Sequence, residues 1–123
     1  MTWSDDNQEL IEGFVLESRE TLESIEPLFM EIIQSLNAGG TADDEALNRI
    51  FRLFHTMKGS AGFMNLNAIV GLTHEAETLL DLYRKHELIL TVEGTSVLIE
   101  ACDALIVLLD EVDEFGNDIA APD

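Results

Sequence analysis

Basic residues are scarce in this chain: 6 Lys and Arg stand against 25 Asp and Glu, a formal net charge of −19. A surface of that sign repels phosphate backbones and anionic lipid headgroups, which argues against nucleic acid and against an anionic membrane, and points to a protein partner. Cysteine occurs once, at Cys102, so no internal disulfide can form, and a buried reduced thiol in an apolar helical stretch fits a reducing compartment. The longest purely apolar run, Ala104 to Leu109, falls far short of the about 20 residues that span a bilayer. Met1 to Asp6 is acidic and has neither the basic start nor the apolar block of a secretory signal. A soluble cytoplasmic domain is the expectation. Nothing alternates apolar and polar residues for long enough to suggest a sheet.

What is present is apolar material at helical spacing. With 123 residues, 46% of them hydrophobic, the chain is the size of one domain and can offset the entropy of folding. The spacing predicts a first helix from about Asp6 to Leu36, with Leu10, Phe14, Leu22, Ile25, Phe29, Ile32 and Leu36 on its core face. Pro27 should bend or divide that helix near Ser24. Asn37 to Gly40 reads as a stop and a turn. A second helix follows from about Asp43 to Met64, then a third, capped by Asn67 and running to about Lys85, with Ile69, Leu72, Ala76, Leu79, Leu80 and Tyr83 inward. Thr91 caps a fourth, whose apolar set includes Val97, Leu98, Ala101, Leu105, Leu108, Leu109 and Val112, and Gly116 ends it. Four amphipathic helices on short connections predict an all-α fold, an antiparallel four-helix bundle over residues 1–116, with 117–123 as the start of a linker.

One stretch of the second helix departs from ordinary composition. Phe54-His55-Thr56-Met57-Lys58-Gly59-Ser60-Ala61-Gly62-Phe63 places two glycines in a helix interior, each costing roughly 1 kcal/mol against alanine. At about 100° per residue, Gly59 and Gly62 lie on the side of His55, with Lys58 one turn away. Leu47, Ile50, Phe54, Met57 and Ala61 point elsewhere and form the buried stripe. His55 is therefore expected at the shoulder of that stripe, on a surface stripped of side chains, where a macromolecule can approach the imidazole and dock on Gly59 and Gly62. Close helix packing also accounts for paired glycines, and the two uses are compatible.

The run Asn48-Arg49-Ile50-Phe51-Arg52-Leu53-Phe54-His55-Thr56-Met57-Lys58-Gly59-Ser60-Ala61-Gly62 resembles the phosphoacceptor helix of histidine phosphotransfer (HPt) domains, in particular the amino-terminal domains of CheA-type chemotaxis kinases. The acidic, Leu-rich segment from Phe14 to Glu26 and the segment Thr73-His74-Glu75-Ala76-Glu77-Thr78-Leu79-Leu80-Asp81 resemble that family's opening and partner helices, so the likeness covers roughly residues 8–115. The resemblance implies that His55 is the phosphoacceptor, that Glu77 hydrogen-bonds and orients its imidazole, and that Lys58 stabilises the phosphoryl group. His74 matches a histidine common near the site and is a possible auxiliary. Implied partners are a CheA-type kinase catalytic domain and the receiver domain of a response regulator. ATP and Mg²⁺ would be bound by those partners, with no cofactor and no metal in this domain, which acts as a substrate and carrier and not as an enzyme by itself.

The chemistry fits the residue types. An imidazole accepts a phosphoryl group through a nitrogen with a free lone pair, so its proton must sit on the other nitrogen. A carboxylate on that N–H fixes the tautomer, which assigns Nδ1–H to Glu77 and attack to Nε2. A nearby cation suits phosphoryl transfer, although Lys58 also reads as an ordinary solvated helix lysine. His86, near a helix end where a positive charge suits the dipole, is expected to be structural. His74-Glu75-Ala76-Glu77-Thr78 begins like a zinc motif but has threonine where the second histidine ligand would stand. Two other readings remain: a module of a multistep phosphorelay, free-standing or in a hybrid kinase, and a helical adaptor that is never phosphorylated. The bundle, hiding its own stripes, is expected to be a monomer.

Overall fold

Apolar residues recurring every three or four positions wind into four helices: α1 (Asp5–Asn37), α2 (Asp44–Phe63), α3 (Asn67–Arg84) and α4 (Val92–Phe115). The computed structural model describes residues 5–117, so most of the expected linker, residues 118–123, lies outside the described residues. Each connection carries its own stop signal. Gly39 takes φ +88 after α1, Asn65 φ +59 after α2 and His86 φ +62 after α3, and Gly116 closes α4 in the left-handed region at φ +78. Asp43 caps α2 by accepting from the Glu45 N–H, and Thr91 caps α4 by accepting from the Gly94 N–H at 3.0 Å.

Neighbouring helices run antiparallel. Arg19 of α1 meets Asp110 of α4 at 2.7 Å, while Leu22 to Met30 lie beside Ile99 to Ile106. Asn48 and Arg84 mark one end of the α2–α3 seam, and Gly62 and Val70 the other. The most extensive contacts join α2 to α3 and α1 to α4, with α1–α2 and α3–α4 closing the square. Its core includes Ile25, Phe29 and Ile32 from α1, Ile50 and Phe54 from α2, Ile69 and Leu80 from α3, and Leu98, Leu105 and Leu109 from α4. Burying each large apolar side chain contributes about 1.5–3 kcal/mol before chain entropy is subtracted. Thr73 and Thr95 are fully buried and donate to carbonyls of their own helices, Ile69 O at 2.7 Å and Thr91 O at 2.9 Å.

Four local expectations are corrected. The structure does not divide α1 at Pro27: that residue is exposed, and Ile25 and Phe29, buried on either side of it, hold both halves to the core. The cap of α3 is Leu66, not Asn67, and it makes no side-chain capping bond; its side chain is buried instead. Leu10 and Val97, expected on core faces, are about half exposed. Each lies at the margin of its helix's apolar stripe, where periodicity leaves the facing undecided.

Candidate functional site

The α2–α3 seam gathers the site. On α2, Phe54 and Met57 point into the core, which turns His55 outward with its side chain 66% exposed. On α3, Ala76 and Leu80 are buried on either side of Glu77. Glu77 is itself buried, with only 6% of its side chain accessible. A buried carboxylate needs partners. One oxygen of Glu77, Oε1, lies 2.8 Å from Nδ1 of His55, and the other pairs with the Lys58 ammonium.

This sharing fixes the proton. A carboxylate paired with an ammonium only accepts hydrogen bonds, so Nδ1 of His55 is the donor and, in the neutral ring, Nε2 keeps its lone pair. No hydrogen bond to Nε2 occurs among the described residues. Lys58, read as either a solvated lysine or a phosphoryl-stabilising cation, is three-quarters buried and engaged with Glu77. Its first electrostatic task here is to neutralise that carboxylate.

Both glycines are exposed on α2. A Cβ on Gly59 would meet nothing within 4 Å, and one on Gly62 would meet only Val70 Cγ2 at 3.9 Å, an ordinary contact. Helix packing therefore requires glycine at neither position. Beside them, a groove of about 520 Å³ runs between α1 and α2, lined by residues that include Leu10, Gly13, Phe14, Gly59 and Phe63. Phe63 is 81% exposed at its edge.

The other histidines stand apart. His74 is exposed, one turn before Glu77 on α3, and no side-chain bond joins it to the site among the described residues. His86 was expected at the end of α3, facing the helix dipole; it lies beyond the cap at φ +62, and its Nε2 is 3.2 Å from a carboxylate oxygen of Asp44 in the first turn of α2.

The resemblance gives no role to Phe51 or Arg84, which stack in turn behind His55. The Phe51 ring stacks on the imidazole with centroids 6.2 Å apart and planes 8° from parallel. The Arg84 guanidinium carbon lies 3.9 Å from the centre of the Phe51 ring. Arg84 is tethered in turn, with Nε donating to Asp81 Oδ1 at 2.7 Å and Nη1 to Asn48 Oδ1 at 3.4 Å. Hydrogen bonds from Lys85 and then Arg84 hold the Asp81 carboxyl below the ordinary aspartate value. Helical spacing carries a signal for both, since Phe51 precedes His55 by one turn and Arg84 follows Glu77 by two.

Among the described residues no cluster of three His, Cys, Asp or Glu side chains is placed to hold a metal ion, and no helix is long and apolar enough to cross a membrane. The "Hpt domain" family model matches residues 9–116. The "Sensor histidine kinase CheAY" of Helicobacter pylori is 36% identical over 114 residues, 93% of this chain but 14% of that protein's length. The CheA phosphotransferase domain from Thermotoga maritima, 28% identical, superposes with a TM-score of 0.76 over 85% of this chain and 94% of that one. The phosphorylated P1 domain of CheA3 from R. sphaeroides, solved in complex with CheY6, shares the fold at 24% identity and a TM-score of 0.78, covering 91% of this chain and 84% of that one. A family match across nearly the whole bundle joins an exposed imidazole whose Nδ1 is held by a buried carboxylate, and the chain belongs to the Hpt domain family.

Proposed function

We propose that this chain is the phosphoacceptor and phosphocarrier module of a CheA-type kinase, with His55 as the carrier. The observation that carries this reading is the asymmetry of the imidazole: Nδ1 is bound to the buried Glu77, and Nε2 is on an exposed ring. Nε2 attacks the γ-phosphorus of ATP held by a separate kinase domain, so an N–P bond forms as the P–O bond to ADP breaks. An aspartate oxygen on a receiver domain then attacks the same phosphorus, and the N–P bond breaks with the electron pair returning to Nε2. Glu77 stabilises the cationic ring formed in the first step, and Lys58 can turn from Glu77 to the phosphoryl oxygens. ATP and Mg²⁺ belong to the partner domains, and the module turns nothing over alone. Its place is the cytoplasm, where those partners work, and the isolated module acts as a monomer.

The complex with CheY6 reported for the R. sphaeroides domain supports a receiver as partner, as do the exposed Phe63 and the bare surface at Gly59. The test is phosphorylation in trans by a CheA-type kinase core with ATP, followed by intact mass and acid lability, on the wild type and His55→Gln. One acid-labile, base-stable phosphoryl group on the wild type alone is expected. Equal labelling of both proteins would move the acceptor to His74 or His86. No labelling by several active kinase cores would leave the helical adaptor as the better reading.

A further inference from the structure

His55 is two-thirds exposed, and its one hydrogen bond, to Glu77, still allows the ring to swing about the Nδ1–H···O axis. Something must limit that swing if Nε2 is to stay presented. We infer that Arg84 and Phe51 are positioning residues for the phosphoacceptor: Arg84 clamps the Phe51 ring, and the ring in turn holds the imidazole nearly parallel to itself. This rests on the phosphocarrier reading for its purpose but not for its geometry.

The arrangement is a relay of three flat groups. Arg84 reaches across from α3 with two of its nitrogens engaged, one by Asp81 on its own helix and one by Asn48 on α2. A guanidinium fixed at two points loses little further entropy when it lies on an aromatic face. Phe51 is half-buried and stands one turn from Asn48 on one side and one turn from His55 on the other. With its planes 8° from the imidazole, it favours the parallel orientation of His55 over rotated ones. Lys85 also pairs with Asp81, at 2.8 Å, so the anchor keeps a counter-charge of its own.

The expected effect is a loss of preorganisation without loss of the fold. Phe51→Ala and Arg84→Gln should each slow phosphorylation of His55 by a small-molecule phosphoramidate about three- to tenfold, the scale of a single aromatic or cation–π contact. Phe51→Tyr, which keeps the ring, should stay within about twofold of wild type on the same grounds. A structural role alone would not change the spread of orientations of the His55 ring. That spread is read from three-bond side-chain couplings and ring-proton nuclear Overhauser effects, at a pH about two units above the ordinary histidine pKa. Wild type and Phe51→Tyr should show one ring orientation dominant, and the other two variants an average over several, with the Nδ1–H tautomer kept throughout by Glu77. Circular dichroism identifies variants that keep the fold, and Arg84→Gln, half-buried but outside the apolar core, is the one least prone to lose it. A folded Arg84→Gln protein with the wild-type ring orientation and rate would overturn the inference. Failure of the wild type to accept phosphoryl from either donor would sink the carrier reading, and the comparison of ring orientations would still decide this one.

Discussion

Lys58 and Glu77 form an ion pair across the α2–α3 seam in which the carboxylate is buried and the ammonium is three-quarters covered. Glu77 is the one charged side chain fully inside the core boundary among the described residues, and it is shared between a lysine and the His55 imidazole. A buried pair of this kind is costly to break from one side, because the abandoned charge remains desolvated.

The first prediction follows from that sharing. Glu77→Ala leaves Lys58 without its counter-charge and Nδ1 of His55 without its acceptor, and should lower stability by about 1–3 kcal/mol. Glu77→Gln, of the same shape, should cost less in stability yet release the tautomer, because an amide can donate or accept. Urea melts combined with nitrogen-15 spectra of the imidazole check both. Wild-type tautomer populations in Glu77→Gln would refute the assignment of the proton.

Lys58 provides a second. Lys58→Met and Glu77→Gln should not be additive in stability, with an interaction energy of about 0.5–3 kcal/mol from a double-mutant cycle. Strict additivity would show that the ion pair does no stabilising work. Under the carrier reading, Lys58→Met also shortens the lifetime of the phosphorylated form, followed by loss of the acid-labile mass over time.

The glycines make opposite predictions at two sites. Gly59→Ala adds a methyl to open space within a helix and should stabilise the chain by about 0.5–1 kcal/mol, while slowing transfer to a receiver that must approach that surface. Gly94→Ala would place a Cβ 2.6 Å from the Tyr83 hydroxyl and 3.2 Å from Leu90 Cδ1, both belonging to buried residues. It should destabilise by about 1–3 kcal/mol. Thermal melts of the two variants moving in the same direction would contradict this account.

Burial pushes the Cys102 thiol up to about 12. Its folded-state value lies above the unfolded one, so the neutral thiol favours the folded state at low pH. That stabilisation is whole below the ordinary thiol value and is lost as pH rises toward about 12. Alkylation of native protein by iodoacetamide near neutral pH should be much slower than alkylation in denaturant, since the thiolate is the nucleophile. Equal rates would show that the thiol is not protected.

Much of this architecture was legible in residue spacing. The α2 stripe of Leu47, Ile50, Phe54, Met57 and Ala61 is buried throughout, and Asp43, Thr91 and Gly116 end or start helices where their chemistry suggests. The positions that misled are those where helical phase is ambiguous, such as Leu10 and Val97. The depth of Glu77 could not be read from α3 alone. An acidic residue between Ala76 and Leu80 is tolerated inside only because α2 brings Lys58 and His55 against it. The stacking of Arg84 on Phe51 likewise depends on the register between two helices, which no single helix encodes.

The position of His55 on the outside of a four-helix square has a consequence for traffic. Nε2 is a single atom on an exposed ring, and a partner seated on it leaves no second approach to it. Whatever protein holds that atom shuts out every other. On the carrier reading, donor and receiver therefore take turns, and the throughput of the module depends on how quickly each lets go. Weak, short-lived encounters serve such an exchange better than tight ones, so affinity-raising substitutions around Gly59 and Phe63 would congest the pathway.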